Sequence, residues 1–172
     1  MSTSIVFTFI GNDKPGLVEK LSNTVSAQGG NWLESRMSQL AGYFAGIARV
    51  QISDAKADQL RAALNALSGD DLSISLETRS ASASASEYKT LKLSLLGNDR
   101  PGIIKELSSA LTALHINVCE MNTNVTSAPM SAEALFSASA VIEVPLALNL
   151  GELSDKLDTV ANQLDVDISL EN

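Results

Sequence analysis

The chain has few of the residues from which most enzyme active sites and metal centres are built. Among 172 residues there is one cysteine, Cys119, and one histidine, His115. A single cysteine cannot form an internal disulfide and suits a reducing compartment. The two residues are four positions apart, but a predicted change from helix to strand between them removes a helical metal site. We therefore predict no enzyme, with no catalytic residues, no metal site and no cofactor.

Long apolar runs are also missing. No apolar segment reaches the length needed to cross a membrane. The apolar run after the first four residues has no basic flank, so a secretory signal is not expected. Together with the single cysteine, these absences predict a cytoplasmic protein without membrane contact.

Clusters of basic residues are absent as well. The net charge is −8, of which residues 1–79 carry −1 and residues 80–172 carry −7. Because DNA-binding proteins meet phosphates with Lys and Arg, direct nucleic-acid binding is not expected. The acidic second half could meet a basic protein partner, or it could only keep the protein soluble.

What the chain does contain is one hexapeptide twice. GNDKPG at residues 11–16 returns as GNDRPG at residues 97–102. The glycine spacing fits a phosphate-binding P-loop, but Leu17 and Val18 stand where that loop needs Lys and Ser or Thr. The repeated hexapeptide indicates that two copies of one unit fill the chain. Identity continues beyond the hexapeptide at the pairs Leu21/Leu107, Ser22/Ser108, Ala27/Ala113, Asn31/Asn117 and Glu34/Glu120.

Each half has the pattern strand, helix, strand, strand, helix, strand. This order predicts an α+β fold of two ferredoxin-like βαββαβ units in tandem, with helices on one face of antiparallel sheets. A run of alternating Ser and Ala between the halves is typical of a short tether. The predicted domains are residues 1–79 and 88–172, joined by a linker at residues 80–87.

Local patterns give more detailed expectations for the first unit. Pro15 is expected at the first helical position, where its missing N–H needs no partner. Leu17 and Val18 are expected on one apolar stripe of that helix, and Ala41-Gly42 is expected to turn the chain between two strands. Two alternating, mostly apolar sets in the first strand predict that it is largely buried on both faces. These sets are Ile5, Phe7, Phe9 and Val6, Thr8, Ile10.

The repeated loop suggests a binding site for a zwitterion. Free backbone N–H groups and the positive dipole end of the following helix favour a carboxylate. The side chain of Asp13 or Asp99 favours an ammonium group, and Gly16 and Gly102 keep the first turn open to a ligand. A free amino acid carries both charges. The alternative is local, since Asp13 could only brace its own turn and the helix start.

The pattern D-[KR]-P-G-[LI] after a first strand, followed by Asn at the head of the second strand, resembles the ACT domain. This resemblance covers residues 4–79 and 88–171 and implies a regulatory module that often senses amino acids. The stretch GNWLESRM at residues 30–37 is similar to the first unit of the glycine cleavage system transcriptional repressor family. That family consists of ACT tandems without a DNA-binding domain.

The resemblance implies a function and partners. It implies an amino-acid-responsive repressor, with glycine as the expected ligand and a DNA-binding activator protein as the partner. The alternative is an ACT-type interaction module, or a regulatory subunit of a metabolic enzyme, without glycine specificity. Because ACT units often pair between chains, a homodimer is a further expectation.

The resemblance also implies site residues. It pairs Asp13 with Asn31 and Asp99 with Asn117, and places the ligand between the loop of one unit and a strand of its neighbour. The second unit departs from the pattern, because Trp32, Ser35 and Arg36 become other residues there, so the two sites could differ. The predicted ligand-binding residues are Asn12, Asp13, Gly16, Asn31, Asn98, Asp99, Gly102 and Asn117.

Three residues of the second strand are candidates for contact with a protein partner. Trp32 could be a binding residue, since Trp is enriched at interface hot spots, or a packing residue. Glu34 and Arg36 could contact a partner or ligand, or could form a strand-face ion pair that contributes little.

Overall fold

The computed structural model of the protein describes residues 1–77 and 87–172. It divides into two compact units, residues 1–82 and 83–172, and each is described by itself below. The predicted linker at residues 80–87 lies, except for its last residue, outside the described residues. The domain boundaries set from the sequence therefore stay a prediction.

The first unit is a four-stranded antiparallel sheet with two helices. The sheet order is β2-β3-β1-β4. A single 3-10 turn at Asp54–Lys56 leads into the second helix. The elements are β1 (Ser2–Asn12), α1 (Leu17–Ala27), β2 (Asn31–Leu40), β3 (Tyr43–Ser53), α2 (Ala57–Asn65) and β4 (Leu72–Glu77).

The second unit repeats this plan. Its sheet order is β6-β7-β5-β8, again with all neighbours antiparallel. The predicted fold, two βαββαβ units in tandem, is confirmed. The elements are β5 (Tyr88–Asn98), α3 (Ile103–Ala113), β6 (Asn117–Ser127), β7 (Ala134–Pro145), α4 (Leu150–Leu164) and β8 (Val166–Glu171).

Each unit has its own core between the sheet and the helices. Leu21 of α1 and Leu107 of α3 are fully buried, one in each core. The prediction that β1 is buried on both faces is wrong. Its core side is buried, but Ile10 on the other side is 48% exposed, because the helices cover only one face of the sheet. Val18, expected on the apolar stripe of α1, is 41% exposed.

The start of α1 also differs from the expectation. The helix begins at Leu17, and Pro15 lies two residues earlier in a turn. Gly16 supplies a left-handed residue between them, which a sequence pattern based on proline alone does not reveal. The Ala41-Gly42 turn is confirmed, and both residues have the positive φ angles that a two-residue hairpin turn requires. Within the described ranges, no helix is long and apolar enough to span a membrane.

Candidate functional site

The loop between the first strand and first helix has the same backbone in both units. Gly16 has φ 93° and Gly102 has φ 96°, and each immediately precedes its helix. A β-carbon at either position would meet no atom within 4 Å. Glycine is therefore favoured by the left-handed conformation and not by crowding. The open space above both glycines agrees with the expected room for a ligand.

Free N–H donors lie at the helix start and not on the Asn-Asp pair. The N–H of Asn12 donates to Asp71 O at 3.1 Å, and the N–H of Asp13 donates to Gly42 O at 2.9 Å. Intrahelical bonding begins when Lys20 N donates to Gly16 O. By helix geometry, the N–H groups of residues 17–19 have no intrahelical acceptor. These three donors can face a carboxylate.

The acidic side chains of the two loops are exposed. Within the described parts of the chain, the Asp13 and Asp99 carboxylates make no hydrogen bond or ion pair. The alternative that Asp13 braces its own turn through its side chain therefore has no bond to support it. Asp13 lines a shallow hollow of about 220 Å³, together with Glu19 and Phe44. We call it the Asp13 hollow.

Asp71, the residue before β4, holds the first loop through two side-chain hydrogen bonds, on the side away from the Asp13 hollow. Its Oδ1 accepts a hydrogen bond from Asn12 Nδ2 at 3.1 Å, and its Oδ2 accepts one from Lys14 Nζ at 2.9 Å. The Lys14 ammonium, by hydrogen bond and charge, holds the pKa of the Asp71 carboxyl below its usual value. The amide of Asn12, predicted to contact a ligand, is thus engaged within the protein.

A wider cleft of about 410 Å³ opens on this far side of the loop. We call it the Asp71 cleft. Lys14 and Lys20 line it opposite Asp70 and Asp71, so cations and carboxylates share its wall. The Asp71 cleft therefore has no single charge that would favour an anion or a cation.

The second loop is fastened differently. Arg100 occupies the place of Lys14, and its Nη2 donates to the backbone carbonyl of Gln163 at 2.8 Å. Sheet register places Asp165 where the first unit has Asp71. The two loops thus have the same backbone conformation. They differ in the group that binds the basic residue after the aspartate, which is a carboxylate for Lys14 and a backbone carbonyl for Arg100.

The predicted asparagines of the second strands lie far from the loops of their own units. Asn31 pairs across the sheet with Gln51, whose partner on β1 is Ser4. Asn12 lies eight residues further along β1, which corresponds to about 26 Å at ~3.3 Å per residue. Asn117 has the matching position in the second unit, where its amide donates to Glu143 Oε2 at 3.4 Å. The structure therefore does not bring Asp13 to Asn31, or Asp99 to Asn117, within one unit.

Each of the three partner-contact candidates makes at least one contact with a nearby residue of its own unit. Trp32 is half-buried, packs edge-on against Phe7 at 5.8 Å between ring centroids, and donates from Nε1 to Ser35 Oγ at 3.2 Å. Glu34 forms an ion pair with Arg49 at 2.7 Å. Arg36 donates to the carbonyl of Ser35. These contacts favour the packing alternative for Trp32.

Sequence reasoning missed two residues of the loop environment. Asp71 lies 59 positions from Asn12 and reaches it only because β1 and β4 are neighbours in the sheet. Phe44 forms a wall of the Asp13 hollow from β3. No local motif marks either residue. The strand register would have indicated both residues. Gly11, next to Asn12, pairs with Phe44 on β3 and with Leu72, the neighbour of Asp71, on β4.

Among the described residues, no three or more His, Cys, Asp or Glu side chains form a group that could hold a metal ion. Cys119 is exposed at an edge-strand irregularity. Partial desolvation and the neighbouring carboxylate of Glu143 raise the pKa of its thiol. Because the thiolate is the reactive form, this environment lowers its reactivity at neutral pH.

Comparison with known proteins agrees with this architecture. The chain is similar to the crystal structure of an unknown protein from Galdieria sulphuraria, with a TM-score of 0.88 and 27% sequence identity. The match covers 99% of this chain and 98% of the other. It also shares its fold with the crystal structure of a candidate glycine cleavage system transcriptional repressor, with a TM-score of 0.74 and 19% identity. That match covers 99% of this chain and 97% of the other. The search of curated proteins found no match.

The sequence model of the ACT domain matches this chain twice. The matched ranges are residues 3–77 and 89–171, so each structural unit contains one match and almost the whole chain is covered. Both ranges begin one residue into the first strand of a unit and include the repeated loop that follows that strand. The chain therefore belongs to the ACT domain family, as a tandem of two ACT domains.

Proposed function

We propose that this protein is a non-enzymatic regulator that senses a small amino acid, with glycine as the expected ligand. It acts as a glycine cleavage system transcriptional repressor by contacting a DNA-binding activator protein, without binding DNA itself. One observation carries the proposal. Both ACT domains present an exposed carboxylate, a left-handed glycine and a helix N-terminus in one loop.

This loop can recognise both charges of an amino acid. The ligand carboxylate faces the N–H groups of residues 17–19, where the helix dipole also favours negative charge. The ligand ammonium faces Asp13. The Asp13 hollow, with a volume of about 220 Å³, has room for glycine. In this proposal, the asparagine at the head of a second strand comes from a different ACT unit, because it lies at the far end of its own sheet.

The expected affinity follows from ligand size. Glycine has about five heavy atoms, and a ceiling of ~1.5 kcal/mol per atom limits binding to ~7.5 kcal/mol. This corresponds to a Kd in the micromolar range at best. The protein would therefore respond to amino-acid pools in the micromolar to millimolar range.

A thermal-shift panel of free amino acids tests the proposal. Ligand at ~100 Kd adds ~2.7 kcal/mol of stability, which raises the Tm by several degrees in a protein of this size. Glycinamide, which lacks the carboxylate, and N-acetylglycine, which lacks the ammonium, are the matched controls and should not raise the Tm. A response to these controls equal to that of glycine would contradict recognition of a zwitterion.

A second candidate function is an ACT-type interaction module or enzyme regulatory subunit without glycine specificity. Two residues of the stretch GNWLESRM favour it, because their contacts lie within the first unit: Trp32 packs against Phe7, and Glu34 forms an ion pair with Arg49. A pull-down separates the two functions. The repressor requires a DNA-binding activator as the captured partner, and the subunit requires a metabolic enzyme.

A further inference from the structure

We propose that Asp71 is a positioning residue for the first amino-acid site, because it holds the Lys14 ammonium away from the Asp13 carboxylate. This inference rests on the proposed function. It adds to that function a residue outside the repeated loop and a reason why a lysine can follow the ligand-binding aspartate.

The placement of Lys14 creates the problem that Asp71 solves. Lys14 follows Asp13 directly and borders both the Asp13 hollow and the Asp71 cleft. An ammonium group turned toward the hollow would neutralise the carboxylate that a ligand ammonium needs, and would repel that ligand. In the structure Lys14 Nζ lies 2.9 Å from Asp71 Oδ2 instead, on the cleft side of the loop.

The ion pair with Asp71 orients the Lys14 side chain but contributes little to the stability of the fold. The side chains of Lys14 and Asp71 are 56% and 61% exposed, and exposed ion pairs contribute little to stability. The loop backbone is held independently, because Asp71 also accepts the Asn12 N–H through its carbonyl oxygen. Asp71→Asn keeps this carbonyl and an oxygen that can accept from Asn12. It removes the charge that attracts Lys14.

The second unit provides a matched control. Its cation, Arg100, is held by a backbone carbonyl that no side-chain substitution removes. Asp165, at the register position of Asp71, has φ 52°, a left-handed conformation that asparagine tolerates. Asp165→Asn therefore makes the same charge change without releasing the cation of that loop.

The first measurement is the glycine affinity of four proteins by calorimetry at low salt. Asp71→Asn should weaken binding about threefold to tenfold, from the repulsion of one nearby unit charge. Adding Lys14→Gln should restore affinity to within about twofold of the unsubstituted protein, and Asp165→Asn should leave it unchanged. If the double variant binds as weakly as Asp71→Asn, Asp71 is only a structural brace and the proposal is overturned. An Asp71→Asn protein that binds normally overturns it too.

A second readout does not require amino-acid binding. The carboxyl carbon of Asp13 is followed by NMR at neutral pH without ligand. Its chemical shift should move in Asp71→Asn, as Lys14 approaches, and return in the double variant. An unmoved signal in Asp71→Asn overturns the positioning role. If the signal moves as expected but no amino acid binds to the unsubstituted protein, the positioning role stands and the proposed function fails.

Discussion

The loops of the two ACT domains differ less in their backbones than in the groups around them. Gly16 and Gly102 have φ angles within 3° of each other. The N–H groups of the aspartates three residues earlier donate to matching carbonyl oxygens of the neighbouring hairpins, those of Gly42 and Ala134. Yet a carboxylate holds Lys14, whereas a backbone carbonyl holds Arg100. The comparison shows that duplication kept the geometry of the loop while its electrostatic surroundings diverged.

The cores of the two domains also diverged. In the first domain, Phe7, Phe9 and Trp32 lie in ring contact with one another or with Phe44. The corresponding interior of the second domain is mainly aliphatic, with Leu, Ile, Val and Ala side chains. Both cores nevertheless bury one leucine at the same helix position. The fold thus depends on apolar volume and pattern more than on the identity of the side chains.

The largest expected effect comes from these two leucines. Leu21→Ala and Leu107→Ala should each cost about 2–5 kcal/mol, because each leaves a cavity in a closed core. Trp32 is the only tryptophan and reports the first domain. In urea unfolding, Leu21→Ala should therefore shift the tryptophan fluorescence midpoint. Leu107→Ala should leave the fluorescence midpoint nearly unchanged and shift mainly the unfolding midpoint measured by circular dichroism. Equal fluorescence shifts would contradict separate cores.

The next effect tests the shared loop backbone. Gly16→Ala and Gly102→Ala should each cost about 1–2 kcal/mol, because alanine in the left-handed region brings its β-carbon close to the backbone. The two losses in urea unfolding should be similar, since both glycines have the same geometry and open space. Val18→Ala, at an exposed position of α1, is the control and should change stability little. A clearly smaller loss in one domain would mean that its loop relaxes to another conformation.

A smaller effect should come from the ends of the first helices. Gly29 and His115 stand at equivalent positions, with φ 77° and 56°. His115→Gly should raise the stability of the second domain by about 1 kcal/mol, because glycine adopts this conformation without strain. His115→Ala retains the β-carbon and should bring no such gain. The check is the Tm of both variants against the unsubstituted protein.

The smallest expected effect is a pH dependence confined to the first domain. Lys14 lowers the folded-state pKa of Asp71, so the unfolded chain binds the proton more readily. The contribution to stability is therefore present above the unfolded value of about 3.8 and is lost as pH falls through the lowered folded value. Asp71→Asn should remove this part of the acid dependence of the Tm, whereas Asp165→Asn should not. Because both side chains of the pair are more than half exposed, the effect stays small.

The repeated pattern and the strand and helix periodicities were sufficient to predict both βαββαβ units and the Ala41-Gly42 turn. They did not predict that the outer face of β1 is open, since alternation of apolar residues gives the two faces but not what covers them. Nor did they predict Asp71, whose contact with Asn12 depends on strand pairing across 59 positions. The position of Asn31, at the far sheet end from Asp13, likewise follows only from register.

In the proposed function, the doubled loop binds an amino acid through its aspartates. Titration calorimetry with glycine tests it most directly, on the unsubstituted protein, Asp13→Ala, Asp99→Ala and the double variant. Asp158→Ala, an exposed position on α4, controls for the lost charge. We expect a micromolar to millimolar Kd for glycine that weakens at least tenfold in the double variant and stays unchanged in the control. Glycine binding that is equal in all five proteins would contradict it.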